Sequence, residues 1–467
     1  MSEPKCKVFK DPIYGYISLR EDLCSDFIDT PIFQRLRRIE QTSMRILFPS
    51  AHHDRFAHSI GTYHLGQIAF SHLKKNSAHF FPEITADEWN SYRNTFEIAC
   101  LMHDCAHAPF SHTFEHYYTH GKEENIRNRL SLHFNQASFL KEYNSASPAP
   151  HEKASALLLL DFFCEKLKKH DANPLLAARM IMGCKHNNPD TLHKKFENRL
   201  ISLLNGAGID VDSLDYIQRD SWFSGVSNVD IDYERLLSAL MIKADKQGNF
   251  KIVFKKSALS VLENISIGRN FLYKWIYSHH IVTYEQYLLN NIIERINSIS
   301  DNKLSNSIFS LDAFSHHVTF NNASFFLPSD DDIMHIIKQQ YEENENVKEF
   351  LSRQYRYKAL WKTYFEFNEV HFADVSNDNR MLIQANIKEG ELTKKYGENT
   401  FLCLEAKPKL KSINKNDFFI DIDGELIDAA KAVSLPTENL NYFILYCIPD
   451  LVPRKEEILH DILSTQT

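Results

Sequence analysis

The stretch Ile98-Ala99-Cys100-Leu101-Met102-His103-Asp104-Cys105-Ala106-His107-Ala108-Pro109-Phe110-Ser111-His112 decides the reading of this chain. An apolar helix ends in a histidine followed by an aspartate. Such a pair offers one neutral nitrogen and one hard oxygen to the same point, as a divalent ion that activates water requires. Upstream, Thr85-Ala86-Asp87-Glu88 matches a capping box. The helix is therefore predicted to run from there through Trp89, Phe96, Ala99 and Cys100 to His103, with Ala108-Pro109 stopping it. The pair then stands at a helix C-terminus, whose partial negative charge favours a cation. His107 and His112 crowd the same segment, and a satisfied polar network is the other reading of such a cluster.

Working outward, three further segments offer partners. Arg55, His58 and Thr62 are spaced three and four apart and share one helix face, while Gly61 and Gly66 let another element approach closely. With Asp210 as a cap, Asp212, Tyr216, Arg219 and Asp220 line one side of a helix that also carries Leu214 and Ile217, and Asp212 supplies a second oxygen ligand. The following Trp222 and Phe223 mark that helix as buried, so its charges need partners. A helix starting at Pro150-His151-Glu152 and ending in Lys166-Leu167-Lys168-Lys169 brings a second acid–base pair.

Nearer the N-terminus, residues 7–20 alternate apolar and polar around Asp11-Pro12 and Tyr14-Gly15, which predicts two short strands and a turn. Asp29-Thr30-Pro31 predicts a helix start, with Phe33, Leu36 and Ile39 as its apolar stripe. By periodicity alone, Gln34, Arg35, Arg37, Arg38 and Gln41 read as a solvated charged face. Further on, one long helical stretch is expected from about Lys256 to Ile299; core packing accounts for Tyr273 and Tyr277 there, but not for Arg269 among them. From about Asn321 the character changes. Ser329 to Asp332 caps a helix, Arg353 to Lys358 reads as a surface helix, and strand-like runs follow at 401–404, 418–422 and 442–448 with a hairpin turn at Asp423-Gly424.

Composition bounds the alternatives. With 467 residues and 43% hydrophobic content the chain can bury a large core. A net charge of -8 argues against a general nucleic-acid binder or a membrane-surface protein, while leaving room for a local basic pocket. The 8 cysteines are scattered without a CxxC pair, which indicates neither a zinc ribbon nor a disulfide framework. Met1-Ser2-Glu3-Pro4 lacks a charged-then-apolar leader pattern, and the densest apolar run, Ala156 to Cys164, is broken by Asp161. The expectation is a cytoplasmic protein, mainly α. It divides into an N-terminal strand-turn-helix segment (1–50), a helical core (51–320) and a smaller C-terminal α+β lobe (321–467).

His58, the His103-Asp104 pair and Asp212, in that order with helices between, resemble the metal set of the HD phosphohydrolases. Asp11-Pro12-Ile13-Tyr14-Gly15, the run Ile28 to Ile39, Arg55 to Gly61, Ala108 to His112 and Asp210 to Tyr216 narrow the likeness. It is closest to the HD-domain deoxynucleoside triphosphate triphosphohydrolases, meaning bacterial dGTPase-like enzymes and the mammalian sterile-alpha-motif and HD-domain enzyme. The resemblance implies an HD-domain helical core and a divalent metal (Mn, Fe, Zn or Mg) held by His58, His103, Asp104 and Asp212. It implies catalytic roles for His107, His112, His151 and Asp220, and substrate contacts from Gln41, Arg55, Tyr216, Arg269 and Tyr277. Lys7, Val8, Asp29, Gln34 and Arg37 match the family's GTP/dGTP activator site, which lies between subunits of a homo-oligomer, a dimer or tetramer. Ser213 stands where the mammalian member has lysine, and Thr42 and Ser43 replace a Leu-Gly of its base pocket. The implied activity is hydrolysis of dNTPs to deoxynucleoside and inorganic triphosphate. Alternatives are an HD phosphatase or phosphodiesterase on another nucleotide, and a nucleotide-sensing module working with a partner, for instance in phage defence.

Overall fold

The structure, a computed structural model, describes residues 5–135, 138–206, 208–226, 229–406, 410, 413, 418–431 and 442–464; Met1 to Pro4, used above for the leader pattern, lie outside them. The chain starts with the expected hairpin of β1 (Cys6–Asp11) and β2 (Gly15–Arg20). Its turn is made by Asp11, whose Oδ1 accepts from the amides of Ile13 at 2.8 Å and Tyr14 at 3.1 Å, and by Gly15 at φ 77°.

The helix expected from residue 29 is one turn only. Thr30 caps Pro31–Gln34 as that start signal requires, and the chain then tightens into a 3-10 turn over Arg35–Arg38. Ile39 is then extended, because its carbonyl accepts from Arg55 N at 2.9 Å and Gln41 N donates to His53 O at 3.1 Å. Phe33, Leu36 and Ile39 are buried as the stripe requires. The opposite side departs from the expected solvated face: Arg35 is 5% exposed and Gln41 3%. Arg35 donates to the carbonyls of Pro328 at 2.6 Å and His107 at 2.7 Å, so it pins the segment after His103-Asp104 rather than facing water.

Helices α1 (Arg55–Ser77), α2 (Ala86–Met102), α3 (Pro150–Lys169) and α4 (Val211–Ser224) form the centre. Each begins as its sequence dictates. Asp54 caps α1, the Thr85–Glu88 capping box starts α2, Pro150 takes the first turn of α3 with Glu152 accepting from Ala149 N, and Asp210 accepts from Ser213 N at 2.8 Å in α4. A Cβ on Gly66 of α1 would sit 2.7 Å from Cys100 Sγ of α2, so glycine sets how closely these helices approach.

The stretch 256–299 is two helices, α5 (Leu259–Leu272) and α6 (His280–Ile299), separated by a π segment at Tyr273–Tyr277. His279 then caps the start of α6, its Nδ1 accepting from Ile281 N at 3.2 Å. The break lets Tyr273 and Tyr277 on one side and Val282, Thr283 and Gln286 on the other line the same cavity. Arg353 to Lys358 is likewise no helix. Arg353 is left-handed at φ 57°, Tyr355 OH bonds Glu285, and Glu349 Oε1 accepts from Arg356 N at 2.7 Å, which holds the segment extended into the short strand Lys358–Ala359.

Strands β3 (Leu240–Ala244) and β4 (Phe250–Lys255) pair antiparallel. Past β5 (Phe401–Glu405), β6 (Phe419–Ile422) and β7 (Glu425–Asp428) form the expected hairpin at Asp423-Gly424, and β6 lies parallel along β4. This makes one four-stranded sheet from the middle of the chain and its C-terminal part. Finally β8 (Phe443–Cys447) sits between β5 and Lys358–Ala359. A main apolar cluster spans the helical centre and takes in Ile333, Val347, Phe418 and Ile420; a second one gathers Trp361, Phe367, Phe372 and Phe443 with Tyr284 and Leu288 of α6. The protein is mainly α, with a helical core and a smaller α+β lobe. Among the described residues no helix is long and apolar enough to cross a membrane.

Trp361 is fully buried, its Nε1 donating to Phe443 O at 2.7 Å. Trp361→Ala is expected to cost about 3–5 kcal/mol in denaturant unfolding, as a truncated core aromatic does.

Candidate active site

His103 caps the C-terminus of α2, and its Nδ1 lies 2.9 Å from Cys100 O. His58, one turn into α1, has its Nδ1 2.7 Å from Asp215 Oδ2. A carbonyl and a carboxylate accept protons there, which leaves Nε2 of each ring to face the remaining partners. These two Nε2 atoms are 3.2 Å apart. Asp212 Oδ1 faces them at 3.0 and 3.5 Å, and the carboxylate of Asp104 lies 3.6 Å from each ring. Two ring nitrogens and the Asp212 carboxylate converge on one point with Asp104 beside them, and a divalent cation, taking the place of the protons that these carboxylates draw onto the rings, satisfies that set. The residues therefore fit the metal the sequence implies. Burial opposes charge on His58, yet Asp212 and Asp215 raise its pKa to about 10; burial is likewise outweighed at His103, where Asp104 and Asp212 push it up.

Behind this set lies a relay whose members the sequence showed but whose role it did not. Arg219, fully buried, donates to both oxygens of Asp215 at 2.8 and 3.0 Å and to Asp11 Oδ2 at 2.9 Å. Burial raises the Asp215 pKa, but Arg219 and His58 outweigh it and bring it down to about 2. A Cβ on Gly61 would come within 2.0 Å of Asp215 Oδ1, so only glycine in α1 admits this carboxylate to His58. On the other flank Arg55 donates to Asp104 Oδ2 at 2.6 Å, to Ser111 Oγ at 3.1 Å and to Gln41 O at 3.0 Å.

The remaining histidines gather around Glu115, a residue sequence reasoning passed over although it stands three positions after His112. Glu115 bonds His112 Nδ1 at 3.2 Å and, more tightly, His151 Nδ1. Burial works against charge on His151, yet Glu115 raises its pKa to about 9, while the His112 side chain is 63% exposed. Glu115 therefore favours the charged form of His151 at pH 7. His107 stacks on His151 at 4.4 Å, is fully buried, and its pKa is lowered first by burial and then by Arg55.

These groups open on a cavity of about 580 Å³. Gln41, Arg55, Asp104, His112, Glu115, His151, Asp212, Tyr216, Asp220 and Tyr277 line it; His107 and Arg269 do not. Arg269 lies 4.1 Å over the Tyr273 ring, behind the wall. Asp220 is held between Tyr277 OH and His53 Nε2, the latter at 2.6 Å, and His53 stacks on Phe223 at 4.7 Å. His53 gave no sequence signal, since its partner is 167 residues away. The five expected activator residues form a separate surface patch. Lys7 pairs with Asp29 at 2.5 Å, Val8 is 57% exposed, Gln34 donates to Ile28 O at 2.9 Å, and Arg37 donates to Gln34 Oε1 at 3.0 Å while covering Phe56.

Asp212→Ala should lose bound divalent metal, read by elemental analysis, while circular dichroism stays unchanged because Asp212 borders the cavity. Asp215→Asn should weaken metal affinity about 10–100-fold, the usual effect of removing an outer partner of a ligating histidine.

No family model matches the chain. An uncharacterized protein of Bacillus subtilis, YwfO, is 29% identical over 297 residues, covering 63% of this chain and 57% of that protein. Deoxynucleoside triphosphate triphosphohydrolase SAMHD1 of Danio rerio is 30% identical over 302 residues, covering 60% of this chain and 43% of its own. The chain thus spans about half the length of the relatives it matches. In fold it resembles a crystal structure of a hypothetical protein from Aquifex aeolicus, with a TM-score of 0.64, 22% identity and coverage of 97% and 99% of the two chains. The chain is thus similar, over about 60% of its length, to HD-domain proteins that include the SAMHD1 deoxynucleoside triphosphate triphosphohydrolases, and its converging histidines and aspartates agree with that likeness.

Proposed function

We propose that the protein is a metal-dependent HD phosphohydrolase that cleaves deoxynucleoside triphosphates to deoxynucleoside and inorganic triphosphate. The observation that carries this reading is the single cavity in which Asp104, Asp212, Arg55, His112 and His151 meet. The names of the SAMHD1 relatives support the substrate class. His58, His103, Asp104 and Asp212 would hold the ion, which when bound supplies Lewis-acid polarisation of water and of phosphate oxygens.

The chain's own residues do the rest. A triphosphate carries about four negative charges, and Arg55, fixed by Asp104 and Ser111, brings a guanidinium to neutralise charge that grows as the phosphorus is attacked. The leaving 5′-oxygen is a strong base and needs a proton. His151 carries that proton at neutral pH because Glu115 stabilises its cation, and Nε2, the ring nitrogen not bonded to Glu115, is the atom to deliver it. Tyr216 and Tyr277 flank the sugar side, Asp220 is oriented by Tyr277 and His53, and Gln41 stands where a 3′-hydroxyl would be read. Arg269 acts on this wall through Tyr273. The patch of Lys7, Val8, Asp29, Gln34 and Arg37 is the activator site for a guanine nucleotide between subunits of a cytoplasmic homo-oligomer.

Incubation with all four dNTPs and Mn²⁺, with and without GTP, followed by anion-exchange analysis is expected to release deoxynucleoside and inorganic triphosphate, faster with GTP. Orthophosphate or monophosphate products would overturn the triphosphohydrolase reading in favour of a phosphatase or phosphodiesterase. Absence of turnover by the metal-loaded protein would favour a sensor. The pH profile has a definite sign. An acid with its pKa raised to about 9 is competent below that value and lost above it, so kcat/KM should be level near neutrality and fall about tenfold per unit above pH 9. His151→Gln should lower kcat by about 10²–10⁴ and abolish that alkaline limb.

A further inference from the structure

We propose that a second cavity, between the loop 188–190, the helix Leu192–Leu204 and the start of β4, binds a small phosphate-bearing anion. It measures about 420 Å³ and shares no lining residue with the catalytic cavity. Lys195 and Arg199 line it from one helix, four residues apart, so two like charges face the same space. Among the described residues no carboxylate lies within ion-pair distance of either, and the Nε of Arg199 is buried without a hydrogen-bond partner. Asp190, the carboxylate on the lining, is already engaged by Lys194 at 2.8 Å. Burial lowers the pKa of Arg199 with no neighbouring charge acting on it.

A half-buried guanidinium without a counter-charge is costly, because its buried donor has given up water without gaining an acceptor. An anion that accepts from Arg199 and screens Lys195 removes both penalties. Phosphate matches that geometry best, because the planar fork of arginine bonds two oxygens of one phosphoryl group while lysine adds a point charge. Asn188 and Asn249 bring amides to the rim and Phe250 an apolar wall, and the volume admits anything from inorganic phosphate to a mononucleotide. The site does not depend on the catalytic reading.

Lysine acylation footprinting of the full chain, read by peptide mass spectrometry, tests this at the residue concerned and needs no turnover. Inorganic pyrophosphate and dGTP are titrated separately against sodium chloride at equal ionic strength. Lys195 is expected to be protected by pyrophosphate, and protection by dGTP as well would show that the pocket also admits a nucleoside. Arg199→Gln should raise the pyrophosphate concentration for half-protection about tenfold, the loss of one charge-assisted contact. Arg199→Lys, which keeps the charge, should retain part of the protection and guards against a misfolded first variant. Unchanged Lys195 labelling in both ligands overturns the proposal. So does protection that survives Arg199→Gln undiminished, which would mean general screening, and so does protection by a DNA oligonucleotide alone, which would mean a nucleic-acid surface.

Discussion

A buried run of charges, Asp11 to Arg219 to Asp215 to His58, ties the N-terminal hairpin, helix α4 and helix α1 to one another. Each member is at most 6% exposed, so no member can lose its partner cheaply; removing one half of such a pair costs about 3–5 kcal/mol. That constraint explains why Gly61 is glycine and why Arg219, a residue that normally seeks water, is fully buried. It also fixes the tautomer of His58, since a ring whose Nδ1–H is committed to a carboxylate has only its Nε2 lone pair to offer. The ligand set is therefore a consequence of the packing of three elements, not of any one of them.

The acid–base side of the cavity is built by a different device. His112 follows two residues held at positive φ, Phe110 at 57° and Ser111 at 51°, a backbone region that costs non-glycine residues energy. Long-range contacts hold them there. Asp330 Oδ1 accepts from Phe110 N at 2.6 Å, Ser111 Oγ donates to Glu40 O at 2.5 Å, and Arg35 grips the carbonyl of His107 at 2.7 Å. The histidines thus stand on a loop over-determined from two sides. Glu115 then keeps His151 charged, while burial disfavours charge on His107.

The cavity is closed by parts of the chain that meet only in the folded state. Glu405 and Ala406, from the smaller lobe, share its lining with Gln41 and Thr42 from the N-terminal segment. The same interleaving appears in the four-stranded sheet, where β6 joins β4 across more than 150 residues of sequence. The helical core and the α+β lobe accordingly share structure, although they bury two distinct apolar clusters.

Local sequence determined the elements and the ends that present the chemistry. The capping box at Thr85–Glu88, proline at the start of α3, Asp210 as a cap and the Asp423-Gly424 turn were all legible because each rests on contacts within a few residues. His58, His103, Asp104 and Asp212 could be picked out by residue type and order along the chain. Tertiary structure alone decided what spans the sequence. Arg35 and Gln41 read as a wet face and are buried, because their partners come from residues far along the chain or from a loop whose path periodicity does not encode. One helix at 256–299 became two because a π segment brings Tyr273 and Tyr277 to the cavity and His279 caps a new helix after it. His53 and Glu115 gave no signal, since a side chain's role there depends on the charge facing it, and that charge arrives only when distant elements pack.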